Sequence, residues 1–122
     1  MKEILVAGGN MLIRDIVKNT FADLKIPCQY LEASDGKTAY QLLEYNRISI
    51  IFLDWNIPEI NGMEFIKKVR SMSNYNNIPI IIVTSEDARY NMVEALYSGA
   101  TDYIIKPVDK TVLKEIVSEM VL

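Results

Sequence analysis

The sequence predicts a doubly wound α/β domain, a five-stranded parallel sheet with helices on both faces. Three observations carry that expectation. Short apolar blocks alternate with amphipathic segments from one end of the chain to the other, five of each. The blocks Ile4–Ala7, Ile50–Leu53 and Ile80–Val83 are continuously apolar, so both of their faces are buried, as in parallel strands covered by helices. No internal repeat, low-complexity tract or linker breaks the alternation, and 122 residues fit one domain spanning 1–122.

Each element follows from a local pattern. Ile4-Leu5-Val6-Ala7 reads as a buried strand, and the helix after it carries Leu12, Ile16, Val17, Phe21 and Leu24 on one side. Pro27 punctuates, and Cys28–Glu32 reads as a short strand whose polar Gln29 and Glu32 suit a sheet edge. Ser34 or Asp35 caps the next helix, which turns Ala39, Leu42 and Leu43 inward. The strand Ile48–Leu53 ends abruptly at Asp54; after the Trp55-Asn56-Ile57-Pro58 turn, Met63, Ile66 and Val69 mark a third helix. Asn74–Asn77 is a polar loop, and Pro79 opens the strand Ile80–Val83. A fourth helix is expected from Asp87 to Tyr97, stopped by Gly99. Thr101–Ile105 is the last strand. Val112, Ile116 and Met120, with Leu113, Val117 and Val121, give the last helix a broad apolar face.

Composition narrows the chemistry. The chain has no histidine, which excludes Ser-His-Asp and Cys-His catalysis, histidine-ligated zinc and a phosphohistidine carrier. What remains is carboxylates, hydroxyls, lysine and a metal. A net charge of −3 gives no general attraction for nucleic acid, so no direct nucleic-acid partner is expected. The single Cys28 cannot form an internal disulfide, which suits a reducing compartment. The apolar stretches are too short to cross a bilayer, and Met1-Lys2-Glu3-Ile4 does not open a signal peptide. A cytoplasmic protein without membrane contact is the expectation.

In an open parallel sheet, ligands sit outside the carboxyl ends of the strands. Here those ends carry Gly8-Gly9-Asn10, Asp54, Thr84-Ser85 and Lys106-Pro107. Singly, Asp54 could start a turn, Thr84 could cap a helix, and Lys106 could be an ordinary solvated lysine. Jointly, a carboxylate, a hydroxyl and an ammonium at three strand ends favour a site.

Asp54-Trp55-Asn56-Ile57-Pro58, Thr84-Ser85, Gly99-Ala100, Tyr103 and Lys106-Pro107 resemble the receiver domains of two-component systems, and in particular the single-domain chemotaxis response regulators. The likeness runs the whole chain, including Arg14–Asn19 and the Glu32-Ala33-Ser34-Asp35-Gly36 turn. It implies a flavodoxin-like (βα)5 fold with strand order 2-1-3-4-5. Asp54 would accept a phosphoryl group from a histidine kinase or phosphotransfer protein, with Thr84 and Lys106 holding the phosphoryl oxygens. The Asn56 backbone carbonyl and Asp54 would face Mg2+, and the Lys106–Pro107 bond would be cis. Thr84 and Tyr103 would act as a switch. Output would reach a partner or fused effector domain through the face of the fourth helix, fifth strand and fifth helix, on which Tyr90, Val93 and Tyr97 are spaced to be accessible. No enzymatic turnover is implied beyond self-phosphorylation and autodephosphorylation of Asp54.

One departure matters. Aligned on the first strand and the Arg14 helix, Gly8 and Gly9 stand where the family carries an acidic pair that holds magnesium. Magnesium prefers carboxylate oxygens and waters, so its binding is expected to be weak or absent. Locally, Gly8-Gly9 read as a tight turn with Asn10 capping the first helix. Three functions therefore stand open: an atypical receiver that is weakly phosphorylated or not phosphorylated with magnesium, a phosphorylation-independent pseudo-receiver acting as an interaction module, and, less favoured, a dinucleotide-binding Rossmann-like fragment with Glu32 on the ribose. The last lacks the third glycine, since Leu12 and Ile13 follow Met11, and leaves Asp54, Thr84 and Lys106 without a purpose.

Overall fold

The structure is a computed structural model and describes residues 1–8, 11–55, 61–72 and 77–121. The elements run β1 (Lys2–Ala7), α1 (Met11–Asp23), β2 (Cys28–Ala33), α2 (Gly36–Tyr45), β3 (Ile48–Asp54), α3 (Gly62–Ser71) and β4 (Ile80–Thr84). A 3-10 helix (Glu86–Asn91), α4 (Met92–Ser98), β5 (Asp102–Ile105) and α5 (Lys110–Val121) complete the described chain. All strand pairs are parallel, in the order β2-β1-β3-β4-β5. The order expected by resemblance is the order observed.

The continuously apolar strands divide their side chains by parity. Ile4, Val6, Ile50, Phe52, Ile81, Val83 and Ile104 pack with Val17 and Phe21 of α1 and Leu113, Ile116 and Val117 of α5. Leu5, Ala7, Ile51, Leu53, Ile80 and Ile82 face Ala39 and Leu43 of α2, Phe65, Ile66 and Val69 of α3, and Met92 and Ala95 of α4. Each fully buried isoleucine or phenylalanine contributes roughly 1.5–3 kcal/mol, so β1, β3 and β4 form the stable centre of the sheet. Both helix-facing sides are occupied, which is why no alternation of polar residues marks these strands. The edge strand β2 is the exception, with Gln29 and Glu32 exposed as expected.

Asp35 caps α2, accepting from the Thr38 N–H at 2.8 Å; Ser34 takes no part in that bond. Gly99 ends α4 at φ 123, a conformation that glycine adopts without strain.

Several boundaries differ from the sequence expectation. The fourth helix is α-helical only from Met92; its first half is 3-10, with the Ala88 N–H donating to the Ser85 carbonyl at 3.2 Å. Ser85 supplies no side-chain cap, and α4 buries only Met92 and Ala95, so little packing enforces α geometry there. β5 begins at Asp102, because Thr101 first spends its hydroxyl and its N–H on the backbone of Ile80. Leu42 and Met63 are only half-buried, and Val112 is 42% exposed. Ile13 and Phe65, which the helical pattern did not single out, are buried instead.

Candidate functional site

Three strand ends meet at one edge of the sheet. Asp54, the last residue of β3, continues the parity of Ile50 and Phe52 toward the α1 and α5 side, and is 7% exposed. Lys106, one residue past β5, reaches across β4 to it. Its Nζ donates to Asp54 Oδ1 at 3.2 Å and lies 3.4 Å from Oδ2, so the ammonium faces both carboxylate oxygens. The Lys106–Pro107 peptide is cis. β4 holds the two ends in place: the Trp55 N–H donates to the Val83 carbonyl at 2.9 Å, and the Lys106 N–H to the Thr84 carbonyl at 2.7 Å.

Thr84 ends β4 fully buried, and its hydroxyl donates to the Ser85 carbonyl at 3.4 Å, a long and weak bond. By parity it belongs with Ile82 on the α2–α4 side, where β5 sets Tyr103 against Ile82 and Ile105 against Thr84. The sheet thus separates the Asp54–Lys106 pair from the Thr84–Tyr103 pair by one residue of strand.

Gly8 closes the third side. Its N–H donates to the Ala33 carbonyl at 2.8 Å, which ties the end of β1 to β2. A Cβ at position 8 would lie 2.8 Å from Asp54 Cβ, so β1 and β3 approach here more closely than two side chains permit. Among the described residues only Gly99 of the glycines has a positive φ, so Gly8 is not needed for an unusual backbone. Glycine at position 8 leaves room for the Asp54 Cβ, and the tight turn expected over Gly8-Gly9 reaches beyond the described residues. Gly9, Asn10 and Asn56 lie outside the described residues.

These residues do not fit a divalent cation. Among the described residues no group of three or more carboxylate, histidine or cysteine side chains comes together, and the Asp54 carboxylate faces an ammonium. A magnesium ion needs several oxygen ligands around it, and here its place would have to be taken from Lys106.

A family model described as the response regulator receiver domain matches residues 4–118. The chain belongs to that family. It is 40% identical over 114 residues to the "Chemotaxis protein CheY homolog" of Campylobacter jejuni, covering 93% of this chain and 87% of the relative. Among solved structures, the chemotaxis response regulator CheY4 of Vibrio cholerae superposes with a TM-score of 0.82 at 28% identity, covering 99% of each chain. The receiver domain of the Pseudomonas aeruginosa sensor histidine kinase PA1611, solved with magnesium coordinated in its active-site cleft, superposes at 0.80 and 24% identity, covering 98% of this chain and 96% of its own. That last likeness speaks to the fold alone. Receivers and chemotaxis proteins of this kind are regulators in two-component signalling.

Glu32, which the dinucleotide reading placed on a ribose, accepts a hydrogen bond from Arg14 Nη1 at 3.0 Å. Glu32 in turn holds the Arg14 guanidinium above its ordinary range, first by that bond and then by its charge.

The α4 surface is the other feature of the molecule that stands out. Tyr90, Val93 and Tyr97 are 80%, 64% and 89% exposed. A cleft of about 580 Å³ runs between this segment and β5, lined by Arg89, Tyr90, Met92, Val93, Leu96 and Tyr103 but not by Tyr97. Tyr103 is half-buried and also lines a second cleft of about 350 Å³ on the α5 side, with Val112. No described helix is long and apolar enough to cross a membrane.

Proposed function

We propose that this receiver takes a phosphoryl group on Asp54 with Lys106, rather than magnesium, as the main resident positive charge. The observation that carries it is the Lys106 ammonium set against both oxygens of a nearly buried Asp54. Phosphoryl transfer asks little covalent chemistry of the protein; it asks for an in-line nucleophile and compensation for charge on the equatorial oxygens. The bond that breaks joins phosphorus to an imidazole nitrogen of the partner kinase or phosphotransfer protein. The bond that forms joins phosphorus to an Asp54 oxygen, and the imidazole, protonated on its other ring nitrogen, leaves as the neutral base. Lys106 would follow one phosphoryl oxygen, and the Thr84 hydroxyl, which makes a long bond to the Ser85 carbonyl, would turn to another.

In the family magnesium supplies further charge at this step. Here Gly8 stands in place of one acid and Gly9 of the other, and the described donor set does not fit the ion, so labelling should be slow and nearly independent of magnesium. Output would run through the α4–β5–α5 face, where Tyr103 sits between the two clefts. A partner that binds the inward and outward positions of Tyr103 with unequal affinity would shift the population between them.

A second reading keeps the same face and drops the phosphate. The existing ion pair already neutralises Asp54, and the exposed tyrosines stand ready without any modification, which favours an interaction module. One experiment separates the two. The protein is incubated with acetyl phosphate, with and without magnesium, and intact mass is followed together with lability to hydroxylamine. A slow, magnesium-insensitive adduct that is lost in Asp54→Asn supports the first reading. No adduct under any condition supports the second, and rapid labelling that saturates with sub-millimolar magnesium overturns the claim of an atypical site.

A further inference from the structure

We propose that Gly8 is the positioning residue of the Asp54 site: the space that a side chain would fill at position 8 is already taken by Asp54 itself. This deepens the reading of a site without magnesium, because it makes the loss of the acid at position 8 part of how Asp54 is held.

Three facts meet at one point. A Cβ on Gly8 would fall 2.8 Å from Asp54 Cβ, 3.6 Å from Oδ2 and 3.7 Å from Cγ. The nearest of these is the first atom of the side chain, fixed by the β3 backbone, so no rotamer change removes the collision. The β1 end cannot easily retreat either. Ala7 is in register with both Ala33 and Leu53, and the Gly8 N–H is bound to Ala33. Lys106 Nζ stands 3.2 Å from Oδ1 and 3.4 Å from Oδ2. Lys106 thus holds the carboxylate, while a side chain at position 8 would crowd the Asp54 Cβ. The backbone at Gly8 is of a kind any residue adopts, so the penalty for a side chain there is collision with Asp54 and not strain at position 8.

It follows that restoring an aspartate at position 8 does not rebuild a metal site by itself. The new Cβ would displace Asp54 or the end of β1 before any ion arrived, and the added carboxylate would repel the one already there.

The test is a double-mutant cycle read by thermal unfolding, with wild type, Gly8→Ala, Asp54→Gly and the double variant. Gly8→Ala is expected to lower the midpoint by about 4 to 12 °C, the range for overpacking in a domain of this size. In the Asp54→Gly background, where no Cβ opposes it, the same change should cost less than about a third of that. The side-chain ¹⁵N resonance of Lys106 should also move in Gly8→Ala, which a purely local disturbance of β1 would not cause. Equal losses in both backgrounds, or no loss in the wild-type background, overturn the proposal. A Gly8→Asp protein that folds and saturates with magnesium below about 1 mM overturns it as well. None of these readouts uses phosphorylation, so a failure to label Asp54 would sink the acceptor reading and leave the role of Gly8 standing.

Discussion

Among the described residues Asp54 is enclosed and paired, whereas the 3-10 helix and α4 leave Tyr90, Val93 and Tyr97 largely exposed. Asp54 is 7% exposed, faces Lys106 with both oxygens and leaves no room toward Gly8. Tyr90 and Tyr97, only two strands away, project into solvent from a segment that starts as 3-10 helix without a side-chain cap. The difference matches two physical tasks. A charge-transfer site works by preorganisation, which requires fixed partners and exclusion of water. A surface read by a partner keeps its apolar area unspent until the partner arrives. Thr84 ends β4 and Tyr103 stands beside it on β5, both on the sheet face opposite to Asp54.

The largest expected effect tests the committed side. Lys106→Met removes the cation from a nearly buried carboxylate and should destabilise the fold by about 2 to 3 kcal/mol, tempered by the 28% exposure of the lysine side chain. Denaturant titration measures it. A loss below about 0.5 kcal/mol would mean that the pair is ornamental and that Asp54 is held by its other neighbours.

Gly99→Ala probes the far end of α4. A Cβ there meets a left-handed φ of 123 and would lie 2.5 Å from Arg70 Cγ, while Arg70 Nε donates to the Gly99 carbonyl at 2.8 Å. The expected cost is about 2 kcal/mol, with faster amide exchange along α4 than in β3. Uniform acceleration across the molecule would show α4 to be as tightly coupled as the centre, and the contrast between the regions would fail.

Buried tyrosines supply a pH test of the same contrast. Burial pushes Tyr30 and Tyr40 up to about 12, with the neighbouring Cys28 adding to Tyr30 and Glu64 to Tyr40. A folded-state value above the unfolded one means that the stabilisation is complete below pH 10 and is lost as pH rises from 10 to 12. Because both rings are partly solvated, the loss should be about 1 kcal/mol or less in total. Tyr30→Phe with Tyr40→Phe should flatten that part of the stability profile, and an unchanged alkaline slope would assign it elsewhere.

The smallest effect on stability belongs to the α4 surface. Tyr90→Ser with Tyr97→Ser should change unfolding free energy by no more than about 0.5 kcal/mol, yet weaken binding to an output partner at least about tenfold. A large stability loss with unchanged partner affinity would reverse the roles assigned to the two regions.

Much of this was legible in the residues. Alternating apolar blocks and helical periodicity are local signals, and they marked the strands, Ser34 or Asp35 as a cap, the stop at Gly99 and the three strand ends that carry Asp54, Thr84 and Lys106. Asp54 and Lys106 could be placed on one edge because parallel strands share a carboxyl side. What the residues could not state were quantities that depend on how far apart two strands settle. The Lys106 Nζ contact at 3.2 Å joins residues 52 positions apart, and the collision that a side chain at position 8 would meet depends on the β1–β3 spacing, which no local pattern states. The switch from 3-10 to α geometry before Met92 was likewise invisible, since it reflects missing packing rather than any residue present. The sequence by itself determined which elements form and which residues end them, because those choices are made within a few residues of chain. Only the tertiary structure decided which of those ends touch, which side chains are enclosed and which are left exposed, because distance and burial are set by contacts between segments that no local pattern contains.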